Sequence, residues 1–333
     1  MKHIQNRRTF IKSATLTGLG LSSLDFGNKP RLAGKRVGII GLDTSHSVAF
    51  AKVLNAAQPD AAYQGYRVVA ASPKGSPDIE SSVKRVPEYT ESVKNLGVEI
   101  VDSISALLDK VDVVLLETND GRPHLEQAIP VLKAGKRVFV DKPVAGSLTD
   151  AVALFAAAER YNVPLFSASS LRYIKGVEGL DKSTVVGADT FSPAVLEKSH
   201  PDLFWYGIHG VETLFTVMGT GCQSVRRIHA DLTDIVVGTW VDGRVGTFRG
   251  TRSGKHGYGG TVFTQTGNIV LGPYAGYEPL LQEIVKFFES GKPPVSPQET
   301  LEIYAFMEAA DESKRQGGVA VTLESVLKKA RKK

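Results

Sequence analysis

Residues 37–47, VGIIGLDTSHS, carry the first pattern in this chain that could do chemistry. A run of apolar, β-branched residues ends in a glycine turn and passes into a helix. Such a turn presents backbone N–H groups at a helix N-terminus, and those groups bind phosphate. Gly38 and Gly41 suit a dinucleotide-binding loop, with Gly41 at the tight turn. The positions that usually hold the second and third glycines are Asp43 and His46. The second glycine lets backbone approach a pyrophosphate, and the third lets helix and strand pack closely. A carboxylate at the second position repels phosphate unless it turns away or caps the helix. Asp43, Thr44 or Ser45 is each of a type that caps. A protonated His46 would instead add a cation for the phosphates.

In an open α/β sheet, ligands gather at the carboxyl ends of the strands. The further candidates therefore lie at Ser72, at Thr118-Asn119 and at Asp141-Lys142-Pro143. The strand RVVAAS ends at Ser72 without the acid that holds a ribose diol, and Lys74 and Lys84 follow. That combination tolerates a 2′-phosphate and tilts the expected cofactor, NAD or NADP, towards NADP. Glu117, Asn119 and Asp120 stand at a strand end, and His124 opens a helix, where it suits a cap or a site equally. His209 lies on an amphipathic helix beside Trp205, Tyr206, His200 and Asp202, and His256 lies in GKHGYGG. No metal site is expected: the seven histidines show no ligand spacing, and the single cysteine, Cys222, reads as a core residue.

Alternating elements position these groups. Strands are expected at 36–42, 67–72, 98–101, 111–117, 137–143 and 163–169. Helices are expected at 45–56, 124–135 and 148–161. That alternation implies a doubly wound, parallel, Rossmann-type sheet covered on both faces. After about residue 180 the pattern changes to closely spaced strands with tight turns at Asp242-Gly243, Ser253-Gly254 and Thr266-Gly267-Asn268. These predict an α+β domain with a large, mainly antiparallel sheet. One helix, 202–219, interrupts the strands, and helices near 277–290 and 297–316 close the chain. The expected organisation is a signal segment, 1–30, a dinucleotide-binding domain, 35–145, and a substrate and oligomerisation domain, 146–333.

Composition agrees with a folded globular protein: of 333 residues, 42% are hydrophobic and 23% charged. The net charge of +5 does not describe a nucleic-acid-binding face. Lys2, Arg7, Arg8 and Lys12 sit in the first twelve residues, and Lys328, Lys329, Arg331, Lys332 and Lys333 form a solvated tail. The N-terminal NRRTFIKSATLTGLGLSSL is too short to span a bilayer and resembles a twin-arginine export signal, with Asn6 where Ser or Thr is usual. It implies a folded protein delivered to the periplasm, with no membrane anchor afterwards.

Several motifs together resemble the Gfo/Idh/MocA oxidoreductases. GKRVFVDKPVAGS is similar to the family's lysine-proline segment, with Asp141 for the usual Glu. LLETNDGRPHLEQA is similar to its T-P-x-x-x-H segment, with His124 as the histidine. GIHGVETLFTVMG is similar to its histidine helix, with His209 and Glu212 for His and Asp. The resemblance covers residues 35 to about 325. It implies NAD- or NADP-dependent chemistry on a sugar or polyol hydroxyl, with Lys142 at the reacting oxygen and His209 as the proton-transfer group. A positioned histidine takes the hydroxyl proton, and an ammonium stabilises the developing alkoxide. It further implies a homo-oligomer. Substrate contacts are expected from Trp205, Tyr206, Glu212 and His124, with Glu212 orienting His209 if that histidine is catalytic. Trp205 departs from the family's aspartate and can only stack on a sugar face. With an export signal the cofactor would be tightly held. A redox-neutral NAD-dependent glycosidase or lyase, or a non-catalytic carbohydrate-binding protein with a decayed loop, remains open.

Overall fold

The computed structural model describes residues 35–255 and 257–332. The segment expected to be a twin-arginine signal, His256 and Lys333 lie outside the described residues. The first half alternates strands and helices: β1 (Arg36–Ile40), α1 (Ser45–Leu54), β2 (Arg67–Ser72), α2 (Glu80–Lys94), β3 (Glu99–Ile100), α3 (Ile104–Leu108), β4 (Val113–Leu116), α4 (His124–Lys133), β5 (Val138–Val140), α5 (Leu148–Tyr161) and β6 (Leu165–Phe166). The strands form one parallel sheet in the order β3-β2-β1-β4-β5-β6. The central strands β4 and β5 are buried at every position, as continuous apolar runs covered on both faces must be. The order reverses between β1 and β4, and their carboxyl ends open the crevice where such sheets bind ligands.

The second half contains β7 (Val185–Pro193), α6 (Ile208–Met218), β8 (Cys222–Ala230), β9 (Thr233–Trp240), β10 (Val245–Thr251), β11 (Gly259–Thr264), β12 (Gly267–Leu271), α7 (Glu278–Ser290), α8 (Pro297–Arg315), β13 (Val321–Thr322) and α9 (Leu323–Ala330). Its seven-stranded sheet runs β12-β11-β7-β10-β9-β8-β13. The Asp242-Gly243 turn joins the antiparallel pair β9 and β10, and β11 and β12 pair across residues 265–266. The Ser253-Gly254 turn closes no hairpin. β10 instead pairs in parallel with β7, and β11 pairs with the other edge of β7. The sheet is therefore mainly but not wholly antiparallel.

The expected helix at 202–219 begins only at Ile208, after a turn-rich stretch that holds Trp205 and Tyr206. α6 is buried at all eleven positions and packs close against the second sheet: a Cβ on Gly210 would lie 2.3 Å from the Phe248 ring. The other face of this sheet leaves Phe191, Ile228, Val241 and Val270 exposed. α7 returns to the first sheet, where Phe287 meets Phe166 at 4.9 Å and Phe288 meets Tyr66 at 5.7 Å between ring centroids. No described helix is long and apolar enough to cross a membrane.

Candidate functional site

The loop after β1 is built on Gly41, whose φ of +90° and contact with β4 both require glycine. A Cβ there would lie 2.5 Å from the Thr118 backbone nitrogen. The next departure from the glycine pattern, Asp43, is fully buried and turned away from the helix end. One carboxylate oxygen accepts from the Asn119 N–H at 2.9 Å and the other from the Ser82 hydroxyl at 2.6 Å. Burial raises its pKa, with these bonds opposing. Asp43 thus ties the β1 loop to the β4 loop and to α2, and Thr44 takes the capping role, its hydroxyl accepting from the His46 N–H at 3.0 Å.

Beyond this loop lies a cleft of about 340 Å³. Thr44, Ser45, His46, Asn119, Arg85, Lys142 and His209 line it. Trp205, Tyr206, Tyr258, Tyr274 and Tyr277 supply an aromatic wall. Ser45 and Tyr277 share a hydrogen bond of 3.0 Å between their hydroxyls.

His209 is buried, and its Nδ1 lies 2.7 Å from the Ser169 hydroxyl. Burial, reinforced by the charges of Lys142 and His46, holds its pKa well below the usual histidine range, so the ring is neutral at neutral pH. When Nδ1 donates to Ser169, Nε2 keeps a free lone pair. Ser169 is fixed in turn: its N–H donates to Glu212 at 2.9 Å, and Arg172 holds Glu212 from the other side at 3.3 Å. Burial, partly offset by Arg172, pushes the Glu212 carboxyl up to about 7.

The positions named from the sequence divide into two groups. Thr44, Ser45, His46, Asn119, Lys142, Trp205, Tyr206 and His209 meet at the one cleft. The others sit elsewhere. Gly38 packs under α3, where a Cβ would press on Leu107 and Val111, so it touches no cofactor. Ser72 is buried and its carbonyl accepts from the Gly41 N–H. Lys74 borders another depression, with Ser76, Asp120 and Arg122, and Lys84 pairs with Glu80 on the surface. Thr118 donates its hydroxyl to Gln127. His124 is wholly buried, with Nε2 2.7 Å from the Thr118 carbonyl, so it braces the β4 loop and reaches no substrate. Glu212 likewise acts through Ser169 and does not line the cleft. Asp141 is buried beneath it, bonded to the Lys142 N–H at 2.8 Å, and the bond between Lys142 and Pro143 is cis. Arg85, Ser169, Tyr258 and Tyr277 belong to the site without a signal in the sequence. Arg85 lies on a helix with little apolar periodicity, Tyr258 and Tyr277 reach the cleft only through the folding of distant segments, and Ser169 meets His209 in the same way.

The residues present fit a diphosphate. Thr44, Ser45 and His46, which open α1, line the cleft, Asp43 has its carboxylate occupied elsewhere, and Arg85 supplies a cation 3.4 Å from the Asp43 carbonyl.

Comparison with known proteins agrees with this geometry. Residues 35–169 match the model of the oxidoreductase family with an NAD-binding Rossmann fold, GFO_IDH_MocA. A 94-residue stretch is 30% identical to an uncharacterized oxidoreductase of Streptococcus pneumoniae, covering 27% of this chain and 25% of that protein's length. The fold is shared with a probable dehydrogenase from Thermotoga maritima, at a TM-score of 0.70 and 21% identity over 87% of this chain and 99% of the other. It is also shared with myo-inositol dehydrogenase from Lactobacillus casei, solved with NAD(H) and myo-inositol, at a TM-score of 0.68 and 16% identity over 86% and 96%. Residues 35–169 of this chain are thus similar to the NAD-binding Rossmann domain of that oxidoreductase family, and the chain as a whole shares its fold with dehydrogenases of known structure.

Proposed function

We propose that the protein is an NAD- or NADP-dependent oxidoreductase that acts on a hydroxyl of a sugar or polyol, with the cofactor held tightly. One observation carries the reading: Lys142 and His209 share a single cleft with the residues at the N-terminus of α1 in a nucleotide-type sheet. When bound, the nicotinamide ring supplies the hydride acceptor. The chain's own groups do the rest. The neutral His209 takes the hydroxyl proton at Nε2, the Lys142 ammonium stabilises the developing alkoxide, and Ser169 orients the imidazole. The aromatic wall offers apolar ring faces to a sugar, and the polyol bound by the Lactobacillus casei relative supports that substrate class. The twin-arginine pattern at Arg7-Arg8 supports action outside the cytoplasm, where a retained cofactor would be needed. The apolar residues on the outer face of the second sheet support a homo-oligomer.

Mass spectrometry of the denatured protein tests the cofactor: NAD or NADP is expected in the released fraction. No dinucleotide there, and no binding of either when added, would overturn the reading. A second reading, a carbohydrate-binding protein without turnover, is favoured by Asp43 and His46, whose side chains fill the places of two loop glycines. Lys142→Ala separates the two. In the enzyme it lowers turnover by about 10²–10³-fold while the melting temperature holds. In a binding protein it leaves sugar affinity unchanged and there is no turnover to lose.

A further inference from the structure

Beneath the cleft, three side chains converge from three separate strand ends. His46 comes from the first turn of α1, Glu117 from the end of β4 and Asp141 from the end of β5. His46 Nδ1 lies 3.0 Å from one Asp141 oxygen and 3.9 Å from one Glu117 oxygen, and one donor atom from each residue fits within 4.8 Å of the others. All three are buried, Glu117 and Asp141 completely. His46 Nδ1 and Asp141 Oδ2 face each other as a pair, and both oxygens of Glu117 are buried without a hydrogen bond. Two carboxyl groups side by side in a dry site, one of them unpartnered, are costly to ionise unless a cation joins them. The dinucleotide reading gives this cluster no task.

The cluster has the chemistry of a metal centre. Two carboxylates cancel the charge of a divalent ion. At metal–ligand bonds of about 2.0–2.2 Å, tetrahedral donors stand roughly 3.4 Å apart, between the two separations found here. One imidazole nitrogen with two carboxylate oxygens suits borderline divalent ions such as zinc or manganese. The donors are also pre-oriented. Asp141 turns Oδ2 inward because its other oxygen accepts from the Lys142 N–H at 2.8 Å. The His46 ring is held between Tyr277, at 4.5 Å, and Phe50, at 5.7 Å. Such outer contacts fix a ligand's direction.

We propose that His46 Nδ1 and one oxygen each from Glu117 and Asp141 bind a divalent transition-metal ion, with the remaining coordination position facing the cleft that His46 lines. The site goes beyond the oxidoreductase reading and stands whether or not the cleft takes a nucleotide. The sequence offered no ligand spacing because the three donors are distant in the chain and meet only at the sheet edge.

The test uses full-length, tag-free protein stripped with chelator and then dialysed against Zn²⁺ or Mn²⁺. Metal content is read by plasma mass spectrometry, bound Mn²⁺ by loss of its free-ion paramagnetic signal, and stability by melting temperature. The wild type is expected to hold about one ion per chain, for one of the two metals, and to melt higher when loaded. Glu117→Gln should keep the metal-free melting temperature, because the amide matches the carboxyl in size and adds no charge, yet bind at least about 100-fold more weakly and gain no stability from metal. His46→Gln serves as the second variant if the first fails to fold. Absence of stoichiometric metal in the wild type, or undiminished binding in the variants, would overturn the proposal.

Discussion

Restoring the second loop glycine by Asp43→Gly should weaken the fold. In a dinucleotide loop of the usual kind this change returns to the common residue. Here the carboxylate satisfies two buried donors, the Asn119 N–H and the Ser82 hydroxyl. Each donor left without a partner costs about 1–3 kcal/mol. Glycine adds about 0.5–1 kcal/mol of backbone entropy. Removing a carboxylate whose pKa is raised by burial returns part of this. The expected net loss is about 3–4 kcal/mol, dominated by the two donors. Asp43→Asn keeps an acceptor for Asn119 and sheds the buried charge, so it should stay within about 1 kcal/mol of wild type. Equilibrium urea unfolding of the three proteins measures this directly. A glycine variant as stable as wild type would show that the carboxylate does not tie the loops together. An asparagine variant as weak as the glycine variant would show that its charge, and not its hydrogen bonding, does so.

Two further outcomes follow from the histidine side of the cleft. Ser169→Ala removes the partner of His209 Nδ1, so turnover should fall about 5-fold, the equivalent of roughly 1 kcal/mol, with KM unchanged. Steady-state kinetics on any accepted polyol would show it, and a rise in KM alone would contradict the positioning role. Folding raises the Glu212 pKa from 4.5 to about 7, so it favours the protonated carboxyl. That contribution is fully present below about pH 4.5 and is lost as pH rises to about 7, a change of about 3 kcal/mol. In Glu212→Gln the difference in unfolding free energy between pH 5 and pH 8 should shrink by that amount, and an unchanged difference would refute the assignment.

The elements most legible in the sequence were those whose residues face one environment throughout. β2 and α5 begin and end where their apolar runs and caps indicate, with Ser147 capping α5. α2 escaped notice because it buries only Ser82 and Val93 and contains Pro87, so it shows almost no apolar face. The parallel pairing of β7 with β10 was equally hidden. Local turns report hairpins, whereas this pairing depends on α6 carrying the chain across the sheet. At the site, Lys142 and His209 were legible because each belongs to a local motif. Arg85 and Tyr277, which line the cleft, and Ser169, which stands behind His209, were not, since each comes from an element whose own pattern says nothing about the site. The two replaced glycines were visible as anomalies, but only the fold shows that one fastens the loop and the other meets two acids.

The segment that matches the family is not a free-standing module. α7, encoded more than a hundred residues downstream, lays Phe287 and Phe288 over Phe166 and Tyr66. Its last turn accepts Arg137 at the Phe288 carbonyl, and Glu289 pairs with Lys35 at 2.9 Å. A chain cut after residue 169 would leave those aromatic rings bare to water and prone to self-association. Folding of this half is therefore completed only when the polypeptide's distal end arrives. Grafting this half onto another protein would require carrying its late-arriving helix with it.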